Sequence, residues 1–145
     1  MNSIKTTLCA VFGAVGAVTA YLFGGWTEDM VTLIIVMAID FILGLLIAAF
    51  FKKSPKSESG SVSSKSCFLG LCKKSTILLF VLIAYRLDIS LGTDYIKPAA
   101  VIAFIVNELI SIVENAGIIG IPMPEIIKKA IDLLKDKEGG KNARY

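Results

Sequence analysis

Histidine is absent from this 145-residue chain. With it go the commonest metal ligand and the side chain that most readily exchanges protons near neutral pH. The carboxylates fall in helices or turns, and without histidine no nucleophile–base pair can be assembled from them. Cysteine is scarce. Cys9, Cys67 and Cys72 match no zinc or redox spacing, so reduced thiols are expected, neither a metal site nor a disulfide. No glycine-rich phosphate loop follows a strand. Neither an enzyme nor a cofactor or metal is expected.

Charge is also thin. Only 19% of residues are charged and the net charge is +3. Most of the basic residues flank apolar runs, which suits anionic lipid better than nucleic acid. Apolar residues make up 55% and the mean hydropathy is +0.75. In a soluble domain apolar residues with glycine reach about 45–50%. Here they come in runs long enough to cross a bilayer.

Thr6 to Thr27 holds 22 residues without a charge, about 33 Å of helix. Gly16, Ala20 and Gly24 recur every fourth residue, with Gly13 and Ala17 beside them, a spacing that lets helices approach closely in lipid. Lys5, the apolar run and Val18-Thr19-Ala20 also match a cleavable signal, although the run continues to Trp26. Met30 to Phe51 is a second run of 22, and its single charge, Asp40, falls at the eleventh position. A mid-bilayer aspartate costs about 2.5–3.5 kcal/mol on insertion scales, so it marks either a functional site or a hydrogen bond between helices. Gly44 and Ala48 continue a small-residue ridge from it. Residues 52–66 form a Ser- and Lys-rich linker expected to be disordered, and Cys67 to Lys74 a short patch at the membrane surface. Ser75 to Gly92 is the weakest span. It contains Arg86 and Asp88, and Arg86 lies at the depth of Asp40, so Asp40 is expected to be neutral or paired with Arg86; otherwise Arg86 and Asp88 pair with headgroups or neighbouring polar groups.

The fourth run, about 98–115, is apolar with a polar stripe. At about 100° per residue, Asn107, Glu108, Ser111, Glu114 and Asn115 share an arc of roughly 120°. Ile105, Val106, Leu109, Ile110, Ile112 and Val113 fill the other side and are expected to face lipid. The stripe must face another helix, another copy or water, as in an assembly or a pore. Gly117, Gly120, Pro122 and Pro124 end the run. Glu125 to Glu138 then reads as an amphipathic helix with Ile127, Ala130, Ile131 and Leu134 on its apolar face, lying on the membrane or against its copies. The remaining tail is polar. The expected fold is all-α, with transmembrane helices near 6–26, 30–51, 75–92 and 98–115. A three-span version leaves the first or third run at the surface. Residues 1–116 form the membrane domain and 117–145 a cytoplasmic helix and tail.

The N-E-x-x-S-I-x-E-N-A-G run from Asn107 to Gly117, followed by Gly120, Pro122, Pro124 and an amphipathic helix, resembles the phage holins that include clostridial toxin-secretion holins. The resemblance extends to Asp40 with Gly44, Ser63-Ser64-Lys65 with Gly70 and Lys73-Lys74, and Ala84 with Asp88. The chain departs from the pattern in its Ser-rich insert at 54–62 and at Ile118-Ile119, where a basic residue is expected. The resemblance implies a homo-oligomer in the bacterial cytoplasmic membrane that opens lesions, through which an endolysin or a toxin escapes. An ion or metabolite channel and a co-assembling lysis inhibitor (antiholin) are the alternatives.

Orientation follows from lysine and arginine in the loops. Residues 52–74 carry six lysines and the tail after Asn115 five lysines and an arginine, whereas the two opposite turns share Lys97 alone. Both termini and the Ser-rich loop are therefore expected in the cytoplasm, which requires an even number of spans. An impermeant thiol reagent applied from outside should label Asp94→Cys but neither Ser59→Cys nor Lys141→Cys; external labelling at position 59 would reject this topology.

Overall fold

The computed structural model describes residues 2–51 and 62–142, with side chains of the last helix described as far as Asp136. Five helices follow one another: α1 (Asn2–Phe23), α2 (Glu28–Leu46), α3 (Ser64–Leu91), α4 (Ile96–Ile118) and α5 (Glu125–Asn142). α2 runs on through a π-helical turn, Ile47–Phe51. There is no strand among the described residues, and α1 to α4 are each long and apolar enough to cross a membrane. Most of the Ser-rich linker (52–61) and the last three residues (143–145) lie outside the described residues.

Short turns join α1 to α2 and α3 to α4, so the N-termini of α2 and α4 share one end of the bundle, here the turn end. The opposite, loop end holds the π-helical turn after α2 and the starts of α3 and α5. α2 and α4 consequently run parallel, and α3 runs against both. α4 is the hub: α2, α3 and α5 all pack on it, while α2 and α3 scarcely touch each other. Met30, Leu33, Val36, Met37, Val81, Val101 and Ile105 form the apolar core, and Phe80 of α3 meets Phe104 of α4 with ring centroids 6.3 Å apart. Lipid tails are as apolar as these side chains, so in a bilayer their close fit, rather than escape from water, holds the helices together.

The buried residues recur at a seam period of 3.5 residues. On α2 they run through Met30, Leu33, Met37, Asp40 and Ile47; on α3 through Val81, Ala84 and Asp88; on α4 through Val101, Ile105, Glu108 and Asn115. The seam of α4 thus lies along the border between its polar and apolar arcs. Ile105 and Val106, expected to face lipid, are buried: Ile105 is only about 60° from Glu108 on the helical wheel, and Val106, on the far side, belongs to a helix on which α2, α3 and α5 all pack.

α3 begins eleven residues before Ser75, with Ser63 as its N-cap: the Ser63 hydroxyl accepts from the Ser66 amide at 3.1 Å. The expected surface patch Cys67–Lys74 is therefore the second and third turns of a 28-residue helix. α5 likewise continues beyond Glu138, to Asn142. It folds back on α4 through Ile131, which is buried, and Leu134, while Ile127 and Ala130 of the expected apolar face stay exposed.

α1 stands nearly alone, with no buried residue. Gly13, Gly16 and, on α2, Gly44 have no atom within 4 Å of where a Cβ would be; Ala17 is exposed and Ala20 half-buried. Within one chain the small-residue ridges bring no helix close. Gly24 lies beyond the end of α1, in a left-handed turn with φ 72°, pressed against the Tyr85 ring so closely that a Cβ would collide with it. Lys97 fixes the same corner. Its Nζ donates to the Phe23 carbonyl at 2.5 Å and lies 5.4 Å from the Tyr85 ring centroid, so the ammonium answers the negative end of α1.

Asp88 supplies the cap that α4 lacks. Tyr95, at the N-cap position, makes no side-chain cap bond. From the previous helix, the Asp88 carboxylate accepts from the amides of Ile96 (3.0 Å) and Lys97 (2.7 Å) and from the Thr93 hydroxyl (2.6 Å). These are helix-end donors that would otherwise have no partner. Arg86 is exposed and joins none of the ion pairs among the described residues. It stands within two turns of the turn end, where its stem can carry the guanidinium to the interface. Asp88→Ala should therefore lower stability in detergent by about 1–2 kcal/mol, the cost of a lost cap, read as a fall in melting temperature. Arg86→Ala should change it little, and equal losses would reject the capping role.

Candidate functional site

Four polar side chains from three helices meet at seam positions in the loop-end half of the bundle. Asp40 (3% exposed) comes from α2, Lys74 from α3, and Glu108 (4%) and Asn115 (5%) from α4. Lys74 Nζ donates to Asp40 Oδ2 at 2.9 Å and also to Glu108 Oε2. Asn115 Nδ2 donates to the other Asp40 oxygen, Oδ1, at 3.1 Å. One ammonium thus serves two carboxylates, and the amide fixes the orientation of the first. No buried side-chain polar atom among the described residues lacks a partner. In a low-dielectric setting this completeness is what makes the charges tolerable, since an unpaired one would cost several kcal/mol, on the order of the burial penalty for a single ion.

The partner of Asp40 is Lys74, not Arg86. Because α3 starts at Ser64, Lys74 lies well inside the helix, and Arg86 is twelve residues, about 18 Å, farther toward the turn end. Lys74 is the residue that hydropathy missed: as the last charge before an apolar run it reads as a boundary marker. Its seam spacing could have found it, since counting back from Asp88 through Ala84 and Val81 by alternate threes and fours reaches Ile77 and then Lys74.

Beside the cluster lies a cleft of about 390 Å3 between α2, the loop-end half of α3 and α4. Its walls include Phe41, Leu45 and Ile77, and small residues, Gly44, Ala48 and Gly70, leave the space open. The polar stripe of α4 divides here. Glu108 and Asn115 turn into the bundle, whereas Asn107 and Glu114 are exposed and Ser111 half-buried, all three along the cleft. Gly117, in the last turn of α4, and Gly120, Pro122 and Pro124, in the connection to α5, lie apart from it, and Gly120 takes a left-handed φ of 78°. Arg86 and Asp88 belong to the turn end. Among the described residues no group of histidine, cysteine or carboxylate side chains could hold a metal ion. The three cysteines are free thiols, with Cys67 on the cleft wall.

The arrangement can hold charge inside an apolar bundle and present a polar groove along one side. Glu108→Ala breaks a buried pair and should cost about 3–5 kcal/mol, whereas Glu114→Ala on the open rim should stay within about 0.5 kcal/mol. Thermal unfolding in detergent measures both, and similar losses would mean that the cluster does not hold the bundle.

No solved structure significantly matches the chain. Its relatives are bacterial. An uncharacterized protein of Listeria innocua is 37% identical over 131 residues, covering 90% of this chain and 88% of its own. One from Halalkalibacterium halodurans is 36% identical, covering 84% and 89%, and an uncharacterized 14.9 kDa protein of Clostridium perfringens is 32% identical, covering 86% and 90%. The model of the bacteriophage holin family matches residues 17–136, from the middle of α1 to the last described side chain of α5 and so across both the seam cluster and the cleft. The chain belongs to the bacteriophage holin family.

Proposed function

We propose that the chain acts as a holin: copies accumulate in the bacterial cytoplasmic membrane with both termini inside, associate, and open lesions through which a cell-wall hydrolase or a toxin leaves the cell. The observation that carries this is the polar material stored in an otherwise apolar bundle of a holin-family chain. Asp40, Lys74, Glu108 and Asn115 satisfy one another inside the protomer, and Asn107, Ser111 and Glu114 edge an open cleft beside them. A lesion wide enough for a protein needs a wetted wall, and these residues can supply one without any group being left unpaired in lipid.

Weak contacts account for the delay. Polar contacts between helices in membranes average about 0.6 kcal/mol each, so sparse copies stay dispersed and crowded ones associate. Gly13 and Gly16 of α1 and Gly44 of α2, with open space beside them within one chain, are available to neighbouring copies.

Induced expression in a bacterium together with a cytoplasmic cell-wall hydrolase should give a lag, then abrupt growth arrest, loss of membrane potential and lysis. An energy poison added during the lag should bring lysis forward. A graded, immediate ion leak with the hydrolase retained would mean a narrow channel instead. Expression without lysis, combined with delay of a second holin's lysis, would mean an inhibitor.

A further inference from the structure

Lys74 has a structural position that no other described cation shares. α2 and α3 scarcely touch directly; both lean on α4. Across the loop-end half the cleft separates them, lined by Gly44 and Ala48 on one side and Cys67 and Gly70 on the other. The Lys74 ammonium closes this gap, bonded to Asp40 of α2 and Glu108 of α4. Phe41 of α2 reaches toward Gly70 of α3, but Gly44, Ala48 and Gly70 keep the walls apart, and among the described residues the Lys74 bonds are the ion pairs that tie α3 to α2 and α4. About two turns beyond Asp40, α2 leaves regular α-helix for the π-helical turn Ile47–Phe51, a local irregularity of the kind that often accompanies functional sites.

We propose that Lys74 is the latch of the closed protomer: its shared ammonium holds the loop-end halves of α2, α3 and α4 together, and its release lets α3 swing from α2 and opens the cleft along the polar stripe of α4. The latch rests on the pore-opening function proposed above. In the closed state two carboxylates and one ammonium are mutually satisfied. When the ammonium withdraws, Asp40 keeps the amide of Asn115, but it and Glu108 lose the counter-charge between them at a depth where two carboxylates without a cation are costly. They then need water or the polar groups of another copy, which is the condition that favours a wetted assembly over the isolated bundle. The latch thus stores its own driving force, because the groups it neutralises are those that demand an aqueous lining once it lets go.

The test uses the full chain in proteoliposomes loaded with fluorescent dextran, with Cys9→Ser and Cys72→Ser leaving Cys67 as the native thiol. Ala48→Cys adds a second thiol on the facing wall. A short bifunctional methanethiosulfonate reagent should join Cys67 to the thiol introduced by Ala48→Cys, abolish dextran release, and restore it on reduction. Lys74→Met should shorten the half-time of release severalfold and slow this cross-linking, whereas Lys74→Arg should keep both near wild type. Dextran released equally fast with the clamp closed would overturn the latch. So would cross-linking as fast in Lys74→Met as in wild type, whether or not any dextran escapes. Absence of release from wild type under every condition bears instead on the pore-opening function, and the cross-linking rate still decides the latch.

Discussion

A polar group in hydrocarbon must find its partner inside the protein, and that constraint shapes this bundle more than the packing of its apolar residues does. Leucine and valine gain a close fit but no escape from water, since lipid offers the same apolar company. Asp40, Lys74, Glu108 and Asn115 have no such alternative. Their mutual bonds set which faces of α2, α3 and α4 turn inward and at what register. The turn end obeys the same rule by other means, with Asp88 completing the exposed amides of α4 and Lys97 the last carbonyl of α1. Polar closure at both ends leaves the apolar middle only to fit.

Much of the fold was legible because apolar runs are read by length alone. The four helices long and apolar enough to span and the amphipathic fifth follow from hydropathy. The pairing of charges did not, for an identifiable reason. Hydropathy averages over a window, and a window treats Lys74 as the edge of a span; only the 3.5-residue period carries it inside. The same averaging split α4 into a polar and an apolar side, whereas its neighbours bury the border between them, so that Ile105 and Glu108 face the same way. Gly24 reads as one more small residue on α1, because its left-handed turn and the Tyr85 ring against it come from elsewhere in the chain.

The two halves of the molecule differ in how firmly they are tied. At the turn end, bonds run among Phe23, Tyr85, Asp88, Thr93 and Lys97, and the connections are short. At the loop end, a cleft and one shared ammonium stand between α2 and α3. α1 is tied only at the turn end, and its remaining length meets almost nothing of its own chain. A bundle pinned at one end and lightly fastened at the other can change its loop-end cross-section without unravelling.

The length of α3 adds a further property. Its 28 residues make about 42 Å of helix, against a hydrocarbon core of about 30 Å. Because the cap from Asp88 holds its C-terminal end level with the start of α4, the surplus of about 12 Å falls at the loop end. That surplus is the opening of α3, where Ser64, Lys65 and Ser66 stand beside exposed Phe68, Leu69 and Leu71. Such a mixture suits the headgroup region of a bilayer better than its tails. The first turns of α3 thus form a post that stands out of the hydrocarbon on one face of the bundle, built to meet lipid headgroups.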